Sequence, residues 1–244
     1  MTTTTSRAAT WRAPADPTRN NARAAGIFYL ITFISSIPAL VLISPVLNDA
    51  DYIVSAGQDN RVLWGCFFDL VNAVAAVATA VAVYPVVKRQ NGSLALGFVT
   101  SRMFEAAVIV TGVVSLLAVV TLRQDLAGAT GADAAALTTT GQALVTVRDW
   151  TFLFGPGFMA PVNAILFGTL LYKSGLVPRA LPMMGFVGAP LLLTANLFVF
   201  FGHNSQTSAW TMLATLPVAA WELSVGFYMT VKGFKPSPIT SATD

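Results

Sequence analysis

The sequence predicts an all-α fold: a polytopic six-helix bundle that crosses a membrane six times, with both termini cytoplasmic. Three observations predict it. Of the 244 residues, 55% are hydrophobic and only 10% are charged, against roughly 25% charged in an ordinary soluble domain. The apolar residues gather into six runs, each at or above the roughly 20 residues a helix needs to cross a hydrocarbon core about 30 Å thick. The basic residues crowd onto alternate connections, as the orientation rule for membrane helices requires. A β-barrel is excluded, because its strands alternate apolar and polar residues. Residues 71–83 read VNAVAAVATAVAV, broken only by Asn72 and Thr79.

Taken in order, residues 1–22 are rich in Thr, Arg and Pro and are expected to form a disordered cytoplasmic segment. Residues 23–235 form the membrane domain, with spans at about 24–47, 62–87, 94–122, 146–172, 182–202 and 209–231. The first span exceeds the 7–15 apolar residues of a signal peptide, so it is read as a permanent helix. The longest connection, about 123–145, is rich in Ala, Gly and Thr. The stretch 132–147 has helical composition and is expected to lie on the outer surface. Residues 236–244 read as a flexible tail. Trp64, Trp150 and Trp210 fall near the outer ends of their spans, where an aromatic belt sits.

Orientation follows from charge. Ten of the 14 basic residues lie on one side: Arg7, Arg12, Arg19, Arg23, Lys88, Arg89, Lys173, Arg179, Lys232 and Lys235. Arg61, Arg123 and Arg148 are assigned to the other side, and Arg102 lies inside a span. The net charge of +3 thus reflects topology, and no nucleic-acid partner is expected. The predicted partner is the lipid bilayer of the inner (plasma) membrane. The identity of any small-molecule or ion ligand stays open, and a homo-oligomer is compatible with the sequence.

Ionisable groups inside spans carry the functional signal, because each is expensive in hydrocarbon. Arg102 and Glu105 are spaced i,i+3 and share a helix face. Glu105 lies about 17 Å from the cytoplasmic end of the third span and Glu222 about 14 Å from that of the sixth, at 1.5 Å per residue. The matching depths predict a Glu–Arg–Glu cluster near the midplane with one negative charge in excess. Asp69 sits in the outer half of the second span, with Asn72 a turn along. The fourth span carries Gly155-Pro156-Gly157, then Pro161 and Asn163. That sequence predicts a kink or a short unwound stretch. The candidate polar site is therefore Arg102, Glu105, Glu222, Asp69, Asn72 and Asn163, with a helix break at Gly155, Pro156 and Gly157.

Several chemistries lack their marks. There is no Walker A loop, GxSxG elbow, HExxH or GxGxxG. A single cysteine, Cys66, and a single histidine, His203, argue against a disulfide framework and a His- or Cys-based metal centre. No metal and no cofactor are expected, and no catalytic residue is assigned.

Several segments resemble the bacterial membrane family called domain of unknown function 4386. They are Ala22-Arg23-Ala24-Ala25-Gly26-Ile27, Leu94-Ala95-Leu96-Gly97-Phe98 with Ser101-Arg102-Met103-Phe104-Glu105-Ala106, and Phe154-Gly155-Pro156-Gly157. Leu176-Val177-Pro178-Arg179 with Gly185, Leu216-Pro217 with Glu222, and Lys232-Gly233-Phe234 follow in the same order. The resemblance spans about residues 22 to 236. It implies a multi-helix inner-membrane protein, and that Arg102, Glu105, the glycine–proline break and Glu222 belong to a family pattern.

Three classes of function fit. The first is a non-enzymatic membrane protein, either a small transporter or permease-like protein or a membrane partner subunit. The second is an intramembrane enzyme acting on a lipid-like substrate through Glu105 and Glu222. A structural or sensory subunit with no pocket is a third. A cavity shared by Arg102, Glu105 and Glu222 would favour transport.

Overall fold

The computed structural model describes residues 17–55 and 57–240; the expected disorder over residues 1–16 lies outside the described residues. Seven α-helices account for nearly all of the rest: α1 (Pro17–Asn48), α2 (Asp59–Val87), α3 (Gly92–Asp125), α4 (Ala132–Phe152), α5 (Phe158–Ser174), α6 (Ala180–Phe200) and α7 (Ala209–Val231). A π-helical segment, Leu153–Gly157, joins α4 to α5, so these two form one continuous crossing. Six crossings result, each long and apolar enough to span a bilayer. The chain is a multi-pass membrane protein. Its large apolar side chains lie on the outside in numbers no soluble surface would tolerate: Ile34, Val74 and Met212 are 60–70% exposed.

Local chemistry sets the helix ends. The Asn91 side chain accepts from the Leu94 amide and caps α3, and Ser208 does the same for α7 through the Thr211 amide. These caps satisfy donors that a helix start otherwise leaves open. Gly175 ends α5 at φ +67°, a conformation that a Cβ disfavours.

In space the crossings form a ring in which α1 lies beside both α2 and α7, α3 packs on α2 and the α4–α5 rod, and α6 bridges α5 and α7. An even number of crossings brings α1 and α7 together at the end that carries both termini, here the terminal end. A Cβ on Gly26 would sit 2.5 Å from the Thr230 amide nitrogen, so these helices meet backbone to backbone there. One large apolar core fills this half, built on Tyr29, Phe98, Phe167 and Trp221.

At the far end the helices are unequal. α6 and α7 measure about 32 and 35 Å at 1.5 Å per residue, close to a bilayer thickness. Phe200, the last residue of α6, meets the Trp150 ring edge-on at 6.0 Å, and Gln206 donates to the Asp149 carbonyl. That is the level where α6 and α7 end. α4 nevertheless extends 18 residues beyond Trp150, about 27 Å of helix, back to Ala132. Together with the α1–α2 turn and the end of α3 it forms a projecting crown. This crown has its own core of Ile43, Tyr52, Ile53, Val119, Val120 and Leu137.

Three expectations change. Residues 17–22 are helical, because α1 starts at Pro17, a residue suited to a first helical turn. The stretch 132–147 is no separate surface helix; its alanines carry the fourth crossing outward without a break. Residues 236–240 of the tail are held in place: the Lys235 amide donates to the Leu176 carbonyl, Ser237 Oγ to Ser174 O, and Arg89 to Ile239 O.

Candidate functional site

Between the two apolar cores lies a polar layer. α3 contributes Arg102 and Glu105 one turn apart, and the guanidinium joins them: Nη1 donates to Glu105 Oε2 at 3.0 Å and Nη2 to Glu222 Oε1 of α7 at 3.2 Å. Asn163 of α5, fully buried, donates through Nδ2 to the same Glu105 oxygen at 2.8 Å. Arg102 also lies over the Tyr29 ring, 4.9 Å from its centroid, an attraction that a dry surround strengthens. Arg102 is 3% exposed, while the Glu222 side chain keeps 16%. Three crossings, α1, α3 and α7, thus meet at one guanidinium, α5 reaches it through Glu105, and Glu222 is its most accessible partner.

A second pair lies nearer the far end. Arg148 Nη2 of α4 donates to Asp69 Oδ2 of α2 at 3.1 Å, both buried, and the guanidinium stacks over Phe152 at 5.1 Å. Its depth can be read from α3. A Cβ on Gly112 would approach Arg148 Cδ to 2.9 Å and Thr151 Oγ1 to 2.5 Å, so Gly112 is the notch into which α4 lays this arginine. Gly112 lies seven residues, about 10 Å, beyond Glu105.

One cavity of about 430 Å³ joins the two clusters, inside the range of small-molecule sites. Arg102, Glu105, Glu222, Asp69, Asn72 and Arg148 all line it, and it reaches Gln206 in the α6–α7 connection. One wall is α1 from Thr32 to Val41 and the facing wall α7 from Thr211 to Glu222. The named close contacts between these helices lie in the terminal half, at Gly26, Tyr29 and Trp221. The cavity therefore opens between their far halves, past the exposed side chains of Ile37, Leu40 and Val41. Below it, Phe98 and Phe167 stack at 4.7 Å and Tyr29 and Trp221 close around them, sealing the terminal side.

The family model described as Domain of unknown function (DUF4386) matches residues 24–233. The chain belongs to this family. No curated protein and no solved structure matches it. In this DUF4386 chain, Arg102, Glu105 and Glu222 meet as their depths predict. Asp69 and Asn72 face the same cavity, and Asn163 acts behind the wall by holding Glu105. The glycine–proline break is a π-helical widening, with no unwound stretch. Pro156 supplies no amide and its ring crowds the preceding turn. Pro156 and Gly157 reach the cavity, and Gly155 lies against Val108 of α3.

Two residues escape the sequence reading. Arg148 is assigned there to the outer side, because it stands two residues from the edge of an apolar run. Its helix continues outward, so it is buried against Asp69. Asn196, inside the apolar run of α6, donates Nδ2 to the Gly157 carbonyl at 2.6 Å and fastens α6 to the π-helical segment. An isolated Asn in a long apolar run was the available signal.

A third polar cluster lies in the crown, outside the crossings. Arg123, Gln124 and the Tyr52 hydroxyl all donate to Asp59, and Arg123 Nε also donates to the Ser55 carbonyl. Burial pushes the Tyr52 phenol above its ordinary value, and the hydrogen bond to Asp59 and the charge of that carboxylate push it further. The cluster ties the α1–α2 turn to the end of α3.

Proposed function

We propose that the protein is a small, permease-like carrier of the inner membrane, its termini cytoplasmic, in which Glu222 exchanges a bound proton for a cationic substrate. One observation carries this reading: a single cavity, open at one end, connects a midplane cluster to a second ion pair about 10 Å nearer that end. Across it two guanidinium groups face three carboxylates, an excess of one negative charge that a proton or another cation must balance. The sealed aromatic core on the terminal side fits one half of an alternating cycle. Orientation rests on the excess of Lys and Arg at the terminal end.

The test uses proteoliposomes loaded with the pH dye pyranine and challenged with choline, putrescine and dodecyltrimethylammonium across an imposed pH gradient. At least one of these cations should dissipate the gradient with the parent protein and fail to do so with Glu222→Gln. No response from the parent to any of them overturns the carrier reading. The one-sided opening also favours a second reading, an enzyme acting on a lipid-like substrate at Glu222. Chemical turnover of a lipid extract by the parent, lost in Glu222→Gln, would select it.

A further inference from the structure

We infer that the cavity takes an amphiphile with an amine or quaternary ammonium head, seated against Glu222, whose apolar body leaves between α1 and α7 into the adjoining leaflet. This deepens the carrier reading and rests on it only for the site. Charge selects the head. Arg102 is already shared by Glu105 and Glu222, and Arg148 is matched by Asp69, so an anion would enter a region of surplus negative charge. Glu222 holds Arg102 through Oε1 alone, and no described residue donates to its Oε2, the oxygen left for an incoming cation.

The walls select the body. The hydroxyls that line the cavity lie within reach of nearby backbone carbonyls to which they donate: Thr32 to Tyr29 O, Ser36 to Phe33 O, Thr151 to Arg148 O, Thr211 to Ser205 O and Thr215 to Thr211 O. A hydroxyl that donates to the backbone has no proton left to donate to a ligand. A sugar or a heavily hydrated solute would lose water there and gain few partners, whereas an alkyl chain loses nothing. The rim is apolar as well: Ile37, Leu40 and Val41 are each more than half exposed within the apolar run of α1. A hydrocarbon tail can stay in lipid while its head reaches the midplane.

The experiment uses the full chain in nanodiscs and a diazirine-bearing alkyltrimethylammonium, with cross-linked peptides read by mass spectrometry. Cross-links should concentrate on residues 32–41 and 211–222. Dodecyltrimethylammonium should compete them away and dodecyl sulfate or dodecyl maltoside should not. Glu222→Gln should weaken competition by at least about tenfold, the loss of one charge-assisted contact. Leu40→Trp, which narrows the mouth without touching the ion cluster, should lower cross-linking with Glu222 intact. Labelling spread over all lipid-facing helices, or equal competition by the anionic amphiphile, overturns the inference. Localised binding without flux in pyranine vesicles would overturn the carrier reading alone. Flux of choline or putrescine without localised labelling would overturn the amphiphile alone.

Discussion

Replacing Arg102 with methionine tests whether the midplane cluster is held together by its cation. The guanidinium donates to Glu105 and Glu222 and lies over Tyr29. Its bond to α7 is the smaller part of what is lost, since a hydrogen bond between membrane helices contributes about 0.6–1.7 kcal/mol. The larger part is the two carboxylates left without a cation. Removing one partner of a buried ion pair costs about 3–5 kcal/mol, while replacing all members with neutral groups is often neutral or stabilising by about 1–4 kcal/mol. Arg102→Met should therefore lose about 3–5 kcal/mol, and the triple variant Arg102→Met, Glu105→Gln, Glu222→Gln should recover most of it. Glu222→Gln alone should cost only about 0.5–1.5 kcal/mol, because its amide oxygen still accepts from Nη2 and Glu105 still balances the charge. Unfolding in mixed micelles, titrated with SDS and followed by the fluorescence of the five tryptophans, measures all of these. A triple variant no more stable than Arg102→Met, or an Arg102→Met variant within about 1 kcal/mol of the parent, would refute the reasoning.

Gly112→Ala places a methyl group 2.5 Å from Thr151 Oγ1 and 2.9 Å from Arg148 Cδ. It should cost about 1–3 kcal/mol as an overpacked contact, with part recovered in the Gly112→Ala, Thr151→Ala double variant in the same titration. Tyr52 holds its proton more tightly folded than unfolded, so its contribution is complete below the ordinary phenol value of 10.0 and is lost as pH rises above it. Tyr52→Phe should lower stability at neutral pH and lessen the decline between about pH 10 and 11 in thermal scans. Cys66 is the only cysteine and is buried, so a Cys66→Ala background reports topology cleanly. His203→Cys should react with an impermeant maleimide on intact cells, and Lys235→Cys only after permeabilisation; the reverse pattern refutes cytoplasmic termini.

Much of the architecture is legible in the sequence because a bilayer imposes its length on each apolar run. The runs at 62–87 and 209–231 match α2 and α7 within three residues. Arg102 and Glu105 are legible because i,i+3 spacing is local, and Glu222 because depth along a helix can be counted from its end. The crown is not legible, since hydropathy marks where a helix enters lipid and says nothing about how far it continues in water. The same boundary error hides Arg148 from Asp69, and no local spacing links residues 79 apart. Asn196 is hidden for another reason: its partner is a backbone carbonyl reached only where the π-helical turn presents it.

A purely structural clamp explains part of this site and leaves part over. One arginine and one glutamate would fix the register of α3 against α7, and a neutral apolar contact would do so at least as stably. The protein instead places a second glutamate on the same arginine, leaves Glu222 partly open, and keeps a cavity of about 430 Å³ beside it where close packing would add stability. Asn163 meanwhile fixes Glu105 from behind, so the two carboxylates are not equivalent: one is braced, the other faces the opening. The triple neutral variant separates the two roles. If it folds as stably as the parent and still supports cation-dependent dissipation of the pH gradient, the charges are not needed for transport and the carrier role of Glu222 fails. If it folds and supports none, the excess charge is there for what enters the cavity.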